Sequence, residues 1–268
     1  MGEFAAALRY APDVLPPVLA RNERGASPFL LVCDHASNRI PPEFGELGLT
    51  ASQRVMHIAW DPGALGVARR LARLLDAPLV AAGVSRLVYD LNRPPHSPGA
   101  MAARSEDYDI PGNARLSAAE RRRRTEAVYL PFHAELRAEI ARRLARGRPP
   151  VIVTIHSFTP VWFGQPRAVE FGVIHDEDPA LALAVLAEAK AQTRLDCRLN
   201  EPYSAADEVT HTLRLQATPY GLANVMLEIR NDLIATPGAE EAMAATLAPV
   251  LKAALAAINP PVTEEAMA

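Results

Sequence analysis

Phe29-Leu30-Leu31-Val32-Cys33-Asp34-His35 decides how this chain is read: five apolar residues without alternation, followed at once by a carboxylate and an imidazole. Val151-Ile152-Val153-Thr154-Ile155-His156 repeats the arrangement much later in the sequence. Unbroken apolar runs of this length fit strands buried on both faces. The carboxyl ends of such strands are where open α/β sheets hold their ligands. Two imidazoles at two such ends suggest a metal ion. Either histidine alone is explained as well by a bond to a core carbonyl; the shared placement argues for ligands.

Working outward, strand-like and helix-like segments alternate. Thr50 to Leu75 holds a helix whose later half, Leu65, Val67, Ala68, Leu71, Leu74 and Leu75, recurs at helical spacing. Pro78 to Ala81 and Leu87 to Asp90 read as short strands. Prolines and glycines from Asn92 to Asn113 indicate a long loop, which in a compact fold is usually functional or disordered. Leu116 to Arg146 reads as an amphipathic helix interrupted near Pro131, and Ser117 to Glu120 has the form of a capping box. Val169 to Ile174 is a further strand, Asp178 to Thr193 an alanine-rich helix, Val225 to Ile229 the last strand and Gly238 to Ile258 the closing helix. Met1 to Ser27 is an entry segment with three prolines, and the tail after Asn259 is expected to fray. This order predicts an α/β three-layer sandwich, with a mixed, mainly parallel sheet covered by helices on both faces. We expect one domain over residues 1–268 with its core from about 29 to 258, and find no internal repeat.

With 268 residues and a formal net charge of -3 there is ample chain for a buried core and no global field to recruit nucleic acid or anionic membrane. The basic run Arg121 to Arg124 follows the capping box and reads as a solvated helix face. Cys33 and Cys197 are far apart and both sit beside apolar residues, so a disulfide is not expected and a reducing compartment fits. The first residues lack the pattern of a secretory signal and no apolar stretch reads as long enough to span a bilayer, so the expectation is cytoplasmic.

The polar residues at the element ends complete the picture. Asp34 to Asn38 closes the first strand, Asp61-Pro62-Gly63 begins a helical stretch and Asp90 to Arg93 closes another strand. His156-Ser157 ends the second long apolar run, and Glu228 to Asp232 ends the last strand. These are the parts of a metal-assisted hydrolase. Two neutral imidazoles and an oxygen ligand leave a zinc-like ion an open position for water. A separate carboxylate takes the proton and arginines grip an anionic substrate.

Seven segments, in order, resemble the N-formylglutamate amidohydrolase family, whose fold is related to the zinc carboxypeptidases and aspartoacylases. They are Cys33-Asp34-His35-Ala36-Ser37-Asn38, His57 to Ala64, Ser85 to Pro94, Ile110 to Asn113, Tyr129 to His133, His156 to Pro160 and Glu228 to Asp232. The resemblance spans roughly Phe29 to Ile234. It implies a zinc exopeptidase-like fold, a divalent metal, most simply zinc, and a small N-acyl amino acid as substrate, with N-formylglutamate the leading example. A deacylase for another N-acyl amino acid and a metal-free carboxylate-binding protein are the alternatives.

By the same resemblance His35 and His156 are the imidazole ligands. The related fold has His-x-x-Glu at the first of them, and here its fourth position is Asn38, a neutral amide and a poorer zinc ligand. Either Asn38 binds weakly or Asp61 supplies the anionic ligand. Asp61 is favoured, against its reading as a helix N-cap, and Asn38 then orients substrate. Glu228 matches the glutamate that activates water, and Arg230, two residues on, shares its strand face. Arg93 with Asn92 resembles a pair that grips the substrate carboxylate, Arg86 is a candidate for polarising the scissile carbonyl, and Asn113 and His57 stand behind these. A second substrate carboxylate calls for another cation, for which Arg104, Arg115 and Arg167 are open choices.

Overall fold

The structure, a computed structural model, describes residues 18–22 and 25–259; most of the entry segment and the tail after Asn259 lie outside the described residues. Seven strands form the main sheet: β1 (Val18–Arg21), β2 (Phe29–Cys33), β3 (Leu79–Ala82), β4 (Val151–Phe158), β5 (Phe171–Ile174), β6 (Cys197–Leu199) and β7 (Asn224–Arg230). Their spatial order is β1-β3-β2-β4-β7-β5-β6. β3, β2, β4 and β7 run parallel, β1 is antiparallel at one edge, and β5 meets β7 antiparallel with β6 parallel to it. The expected mixed, mainly parallel sheet is present, and every residue of β2 through β5 is buried, as the unbroken apolar runs require.

Six helices are α1 (Ala64–Leu75), α2 (Ala118–Arg124), α3 (Leu130–Leu144), α4 (Ala180–Gln192), α5 (His211–Gln216) and α6 (Pro237–Ile258). The chain moves from β2 to β3 on one side and then back past β2 to β4 on the other. Right-handed crossovers in opposite directions put α1 and α3 on opposite faces of the sheet, and they leave a crevice at the carboxyl ends of β2 and β4 where the direction reverses. His35 and His156 stand at that crevice.

Several boundaries differ from expectation for identifiable reasons. Leu87 to Asp90 is a turn, not a strand, because the N–H groups of Val88 and Tyr89 both donate back to the carbonyl of Ser85. The edge strands β1 and β6 escaped sequence reading; both are short and lack a long apolar run. Between α2 and α3 the backbone widens into a π-turn over Thr125–Tyr129, immediately before Pro131. The proline ring cannot be accommodated by a regular turn, and the widened one absorbs it. The 22-residue α6 is, by length and apolarity alone, sufficient to cross a membrane, contrary to the sequence reading. Here it packs on α1 and α4 through Met243, Ala244, Leu247, Val250, Leu251 and Ala254, while Glu240 and Glu241 pair with Arg70 and Arg73.

Candidate functional site

The end of β2 delivers Asp34 and His35 into the crevice, and the backbone N–H of Asp61 donates to the His35 carbonyl (3.0 Å), which draws the following segment alongside. α1 begins at Ala64 with Gly63 as its N-cap, so Pro62 is not its first residue and the Asp61 side chain does not cap it. Gly63 sits at φ +80, and a Cβ there would lie 2.4 Å from the Ile234 carbonyl oxygen. That tight turn frees the Asp61 carboxylate to face the histidines. Oδ2 of Asp61 lies 3.3 Å from Nδ1 of His35 and 3.0 Å from Nδ1 of His156, and accepts the Ser157 N–H at 3.2 Å.

One ligand atom from each of His35, Asp61 and His156 lies within 4.8 Å of the others. All three residues are buried, and two nitrogens with one oxygen make a donor set that suits a zinc-like ion and leaves a position open. The far nitrogens are also provided for. Nε2 of His35 is 2.8 Å from Asp90 Oδ1, and Nε2 of His156 is 3.4 Å from Asp34 Oδ2, an ion-pair contact whose geometry falls short of a hydrogen bond. A carboxylate behind an imidazole fixes its ring orientation and raises its basicity. Sequence reading offered Asp90 only as an ion-pair partner for an arginine and set neither aspartate behind an imidazole, although the β2–β4 register, continued two residues past Val32↔Thr154, sets Asp34 opposite His156.

The buried carboxylates govern the electrostatics of the cluster. Burial opposes charging His156, but Asp34 and Asp61 overcome it and push the imidazole up to about 10. His35 is likewise raised against burial and Arg86, by Asp90 and Asp61. The Asp61 carboxyl is held well below its ordinary range by these imidazoles despite burial.

β7 places Glu228 directly beside His156 in the parallel register, with Gly172 of β5 on its other side. A Cβ on Gly172 would stand 2.1 Å from the Glu201 carbonyl oxygen, so only glycine lets that backbone close against the strand beside Glu228, whose own Cβ would be 3.1 Å away. Burial, then the nearby Asp61, raises the Glu228 carboxyl toward neutrality against the pull of His156, and its Oε2 has no hydrogen-bond partner. A raised, unpartnered carboxyl in a cleft is what a general base looks like.

A cavity of about 650 Å³ opens over these groups, and His35, Asp61, Arg86, Asn92, Arg93, His156 and Glu228 all line it. Arg86 donates to Asp90 Oδ2 through Nη2 (2.7 Å) and Nε (3.2 Å), and to Asp61 Oδ1 through Nη1 (3.3 Å). Asn92 donates to the Val209 carbonyl and accepts from the Thr212 N–H, tying its own turn to the start of α5. Arg93 donates through Nη1 to the carbonyls of Asn92 and Glu208 and has no carboxylate partner among the described residues.

Three further candidates stand off the cavity lining. Asn38 donates to the Arg54 carbonyl, Asn113 bonds Leu87, Ala102 and Arg124, and Arg230 pairs with Glu170 and Asp232. The Asn38 amide nitrogen, the Asn113 amide and the Arg230 guanidinium are thus engaged within the fold. His57 pairs at the cavity wall with Glu106 (2.6 Å), not with Asp61. Neither Arg104 nor Arg115 lines the cavity; Arg167 does, as do Trp162 and Tyr203, which sequence reading passed over because nothing near them marks a strand end.

The chain is similar over 91% of its length, at 53% identity and a TM-score of 0.89, to the crystal structure of gene product Atu2144 from Agrobacterium tumefaciens, of which it covers 96%. It is also similar in fold to N-formylglutamate amidohydrolase from Ralstonia eutropha JMP134, at 20% identity and a TM-score of 0.64, covering 91% of this chain and 98% of that one. No curated protein sequence matches it. The family model for N-formylglutamate amidohydrolase matches residues 27–235, which include the β2, β4 and β7 ends and every residue of the cluster just described. The chain belongs to the N-formylglutamate amidohydrolase family.

Proposed function

We propose that this protein is a metal-dependent amidohydrolase that removes the N-formyl or N-acyl group from an acidic amino acid, N-formylglutamate above all. The observation that carries the reading is the convergence of His35, Asp61 and His156 on one point, with the raised, unpartnered carboxyl of Glu228 beside it. His35 and His156 would hold a divalent ion through nitrogen and Asp61 through oxygen, and the donor set favours zinc. Bound there, the ion supplies Lewis acidity to the attacking water and to the scissile carbonyl.

The remaining chemistry belongs to the chain. Glu228 accepts the water's proton and returns it to the departing amine nitrogen, so the carboxyl ends as it began. Asp34 and Asp90 hold the two imidazoles in register. Arg86, already engaged by Asp61 and Asp90, keeps those carboxylates in place and contributes positive charge to the wall where the oxyanion develops. Arg93 grips the α-carboxylate, and Asn92 fixes the backbone from which it projects.

Metal analysis of the purified protein, with hydrolysis of N-formylglutamate measured before and after chelation, tests the reading. Bound divalent metal near one per chain and activity that chelation removes and metal restores are expected. Full activity in chelator removes the metal from the mechanism, and cleavage of N-acetyl or neutral N-formyl amino acids in preference to N-formylglutamate moves the substrate to another N-acyl amino acid.

A further inference from the structure

Three guanidinium groups line the cavity, and they are in two different states. Arg86 has its Nε and Nη2 both committed to Asp90. Arg93 and Arg167 are not committed in this way. Each is fixed through Nη1 alone, Arg93 on two backbone carbonyls and Arg167 on the Thr159 carbonyl (3.4 Å) and the Tyr203 hydroxyl (3.1 Å). In both, the Nε–Nη2 edge has no acceptor among the described residues, and that edge is one of the two faces of a guanidinium that take a carboxylate bidentately.

Arg167 is also unusually well held for a half-buried arginine. Its Cζ lies 4.7 Å from the Trp162 ring centre, 5.0 Å from that of Tyr203 and 5.5 Å from that of Phe158. Its backbone N–H donates to Pro160 and its carbonyl accepts from Arg230. Aromatic faces orient a guanidinium without neutralising it. A cation fixed on both sides, lining a cavity and lacking an acid partner among the described residues, is built to receive an anion from outside the protein.

We infer that Arg167, on its platform of Phe158, Trp162 and Tyr203, is the specificity-determining residue that binds a second carboxylate of the substrate. The substrate class is then an amide whose amine half carries two carboxylates, one for Arg93 and the other, on the side chain, for Arg167. This rests on the amidohydrolase reading above and adds to it the residue that selects acidic over neutral amino acids.

The test compares wild type with Arg167→Met, which keeps an unbranched stem against the rings and removes the fork. N-formylglutamate, N-formylglutamine and N-formylisoglutamine are the substrates. The variant is expected to lose about tenfold or more in kcat/KM on N-formylglutamate, carried mainly by KM, and little on N-formylglutamine, which lacks the side-chain charge. An equal loss on both, or no loss on either, overturns the assignment. A variant that loses nothing on N-formylisoglutamine, whose side-chain carboxylate is intact, assigns Arg167 to the α-carboxylate and also overturns it. Calorimetric binding of glutarate against pentanoate reads the same subsite without turnover. Wild type should prefer the dicarboxylate and Arg167→Met should not. If wild type cleaves no N-formyl amino acid but keeps that preference, the amidohydrolase reading fails and the anion subsite stands; if it binds both acids alike, the subsite fails by itself.

Discussion

The two walls of the cavity are built on opposite principles. One is made of the carboxyl-terminal parts of strands: Asp34 and His35 after β2, His156 within β4 and Glu228 within β7, all buried, two carboxylates set against two imidazoles, with several of their atoms lacking a hydrogen-bond partner among the described residues. The other is made of connecting segments that carry Arg93 and Arg167, half-exposed cations resting on carbonyls, a hydroxyl and aromatic rings. Burying polar atoms costs roughly 1 to 3 kcal/mol for each that is left unpaired, a cost more often met at sites kept for function than for stability. On the proposed function the strand wall carries the chemistry, where sub-ångström placement matters, and the loop wall carries recognition, which tolerates more movement.

The comparison breaks first, and by the largest margin, at the strand wall. His35→Ala and His156→Ala should each abolish metal retention while the chain stays folded, because neither ring contributes much to the apolar core. Metal analysis beside a thermal melt checks this, and full occupancy in either variant removes that residue from the ligand set. Asp61→Asn should weaken metal binding far more than Asn38→Ala, since Asn38 is bonded to Arg54 and stands off the cavity lining. The opposite order would restore Asn38 as the third ligand.

Glu228→Gln comes next. It keeps the shape beside His156 but cannot accept a proton, so metal content and KM should persist while kcat falls on the order of 100-fold or more. Near-normal turnover would take Glu228 out of the mechanism and leave its raised carboxyl a consequence of burial alone.

A smaller, graded effect concerns protons. Without metal the His156 imidazole, pushed up to about 10, is protonated at neutral pH, whereas a ligating imidazole must be neutral. Uptake of metal therefore releases a proton from this residue, and apparent affinity should fall about tenfold for each unit that pH drops below that value, per proton displaced. Metal titrations at several pH values in buffers of different ionisation enthalpy would show it. Affinity independent of pH across the neutral range would mean that His156 is already neutral.

How far the sequence foretold these walls follows the same division. His35, His156 and Glu228 were legible because an apolar run that stops on a polar residue marks a strand end, and strand ends converge where the strand order reverses. Asp61 was readable only as a choice between ligand and N-cap, and the left-handed Gly63 that takes the N-cap position leaves no trace in apolar periodicity. Asn113 and Arg230 carry the residue types of a binding site but spend their polar groups on Leu87, Ala102, Arg124, Glu170 and Asp232, and apart from the neighbouring Asp232 these partners are brought up only by the fold. Arg167 and Tyr203 meet across a long stretch of chain, and pairings of that kind are fixed by the fold rather than by local pattern.

The loop wall yields the smallest effect and the one that defines its role. Arg93→Lys keeps the charge but removes the planar fork, and it also removes the paired bonds to the Asn92 and Glu208 carbonyls that aim it. The Michaelis constant for N-formylglutamate should rise by an amount equivalent to roughly 1 to 3 kcal/mol, with a lesser change in turnover. With N-formylisoglutamine, whose α-carboxylate is a neutral amide, the wild type has no bidentate partner for Arg93, so the substitution should cost little further. The difference between the two penalties isolates the contact from any general loosening of the loop, because loosening would be felt with both substrates. If the penalties match, Arg93 is holding the segment of Asn92 and Glu208 together, and recognition of the α-carboxylate must be sought elsewhere on the same wall.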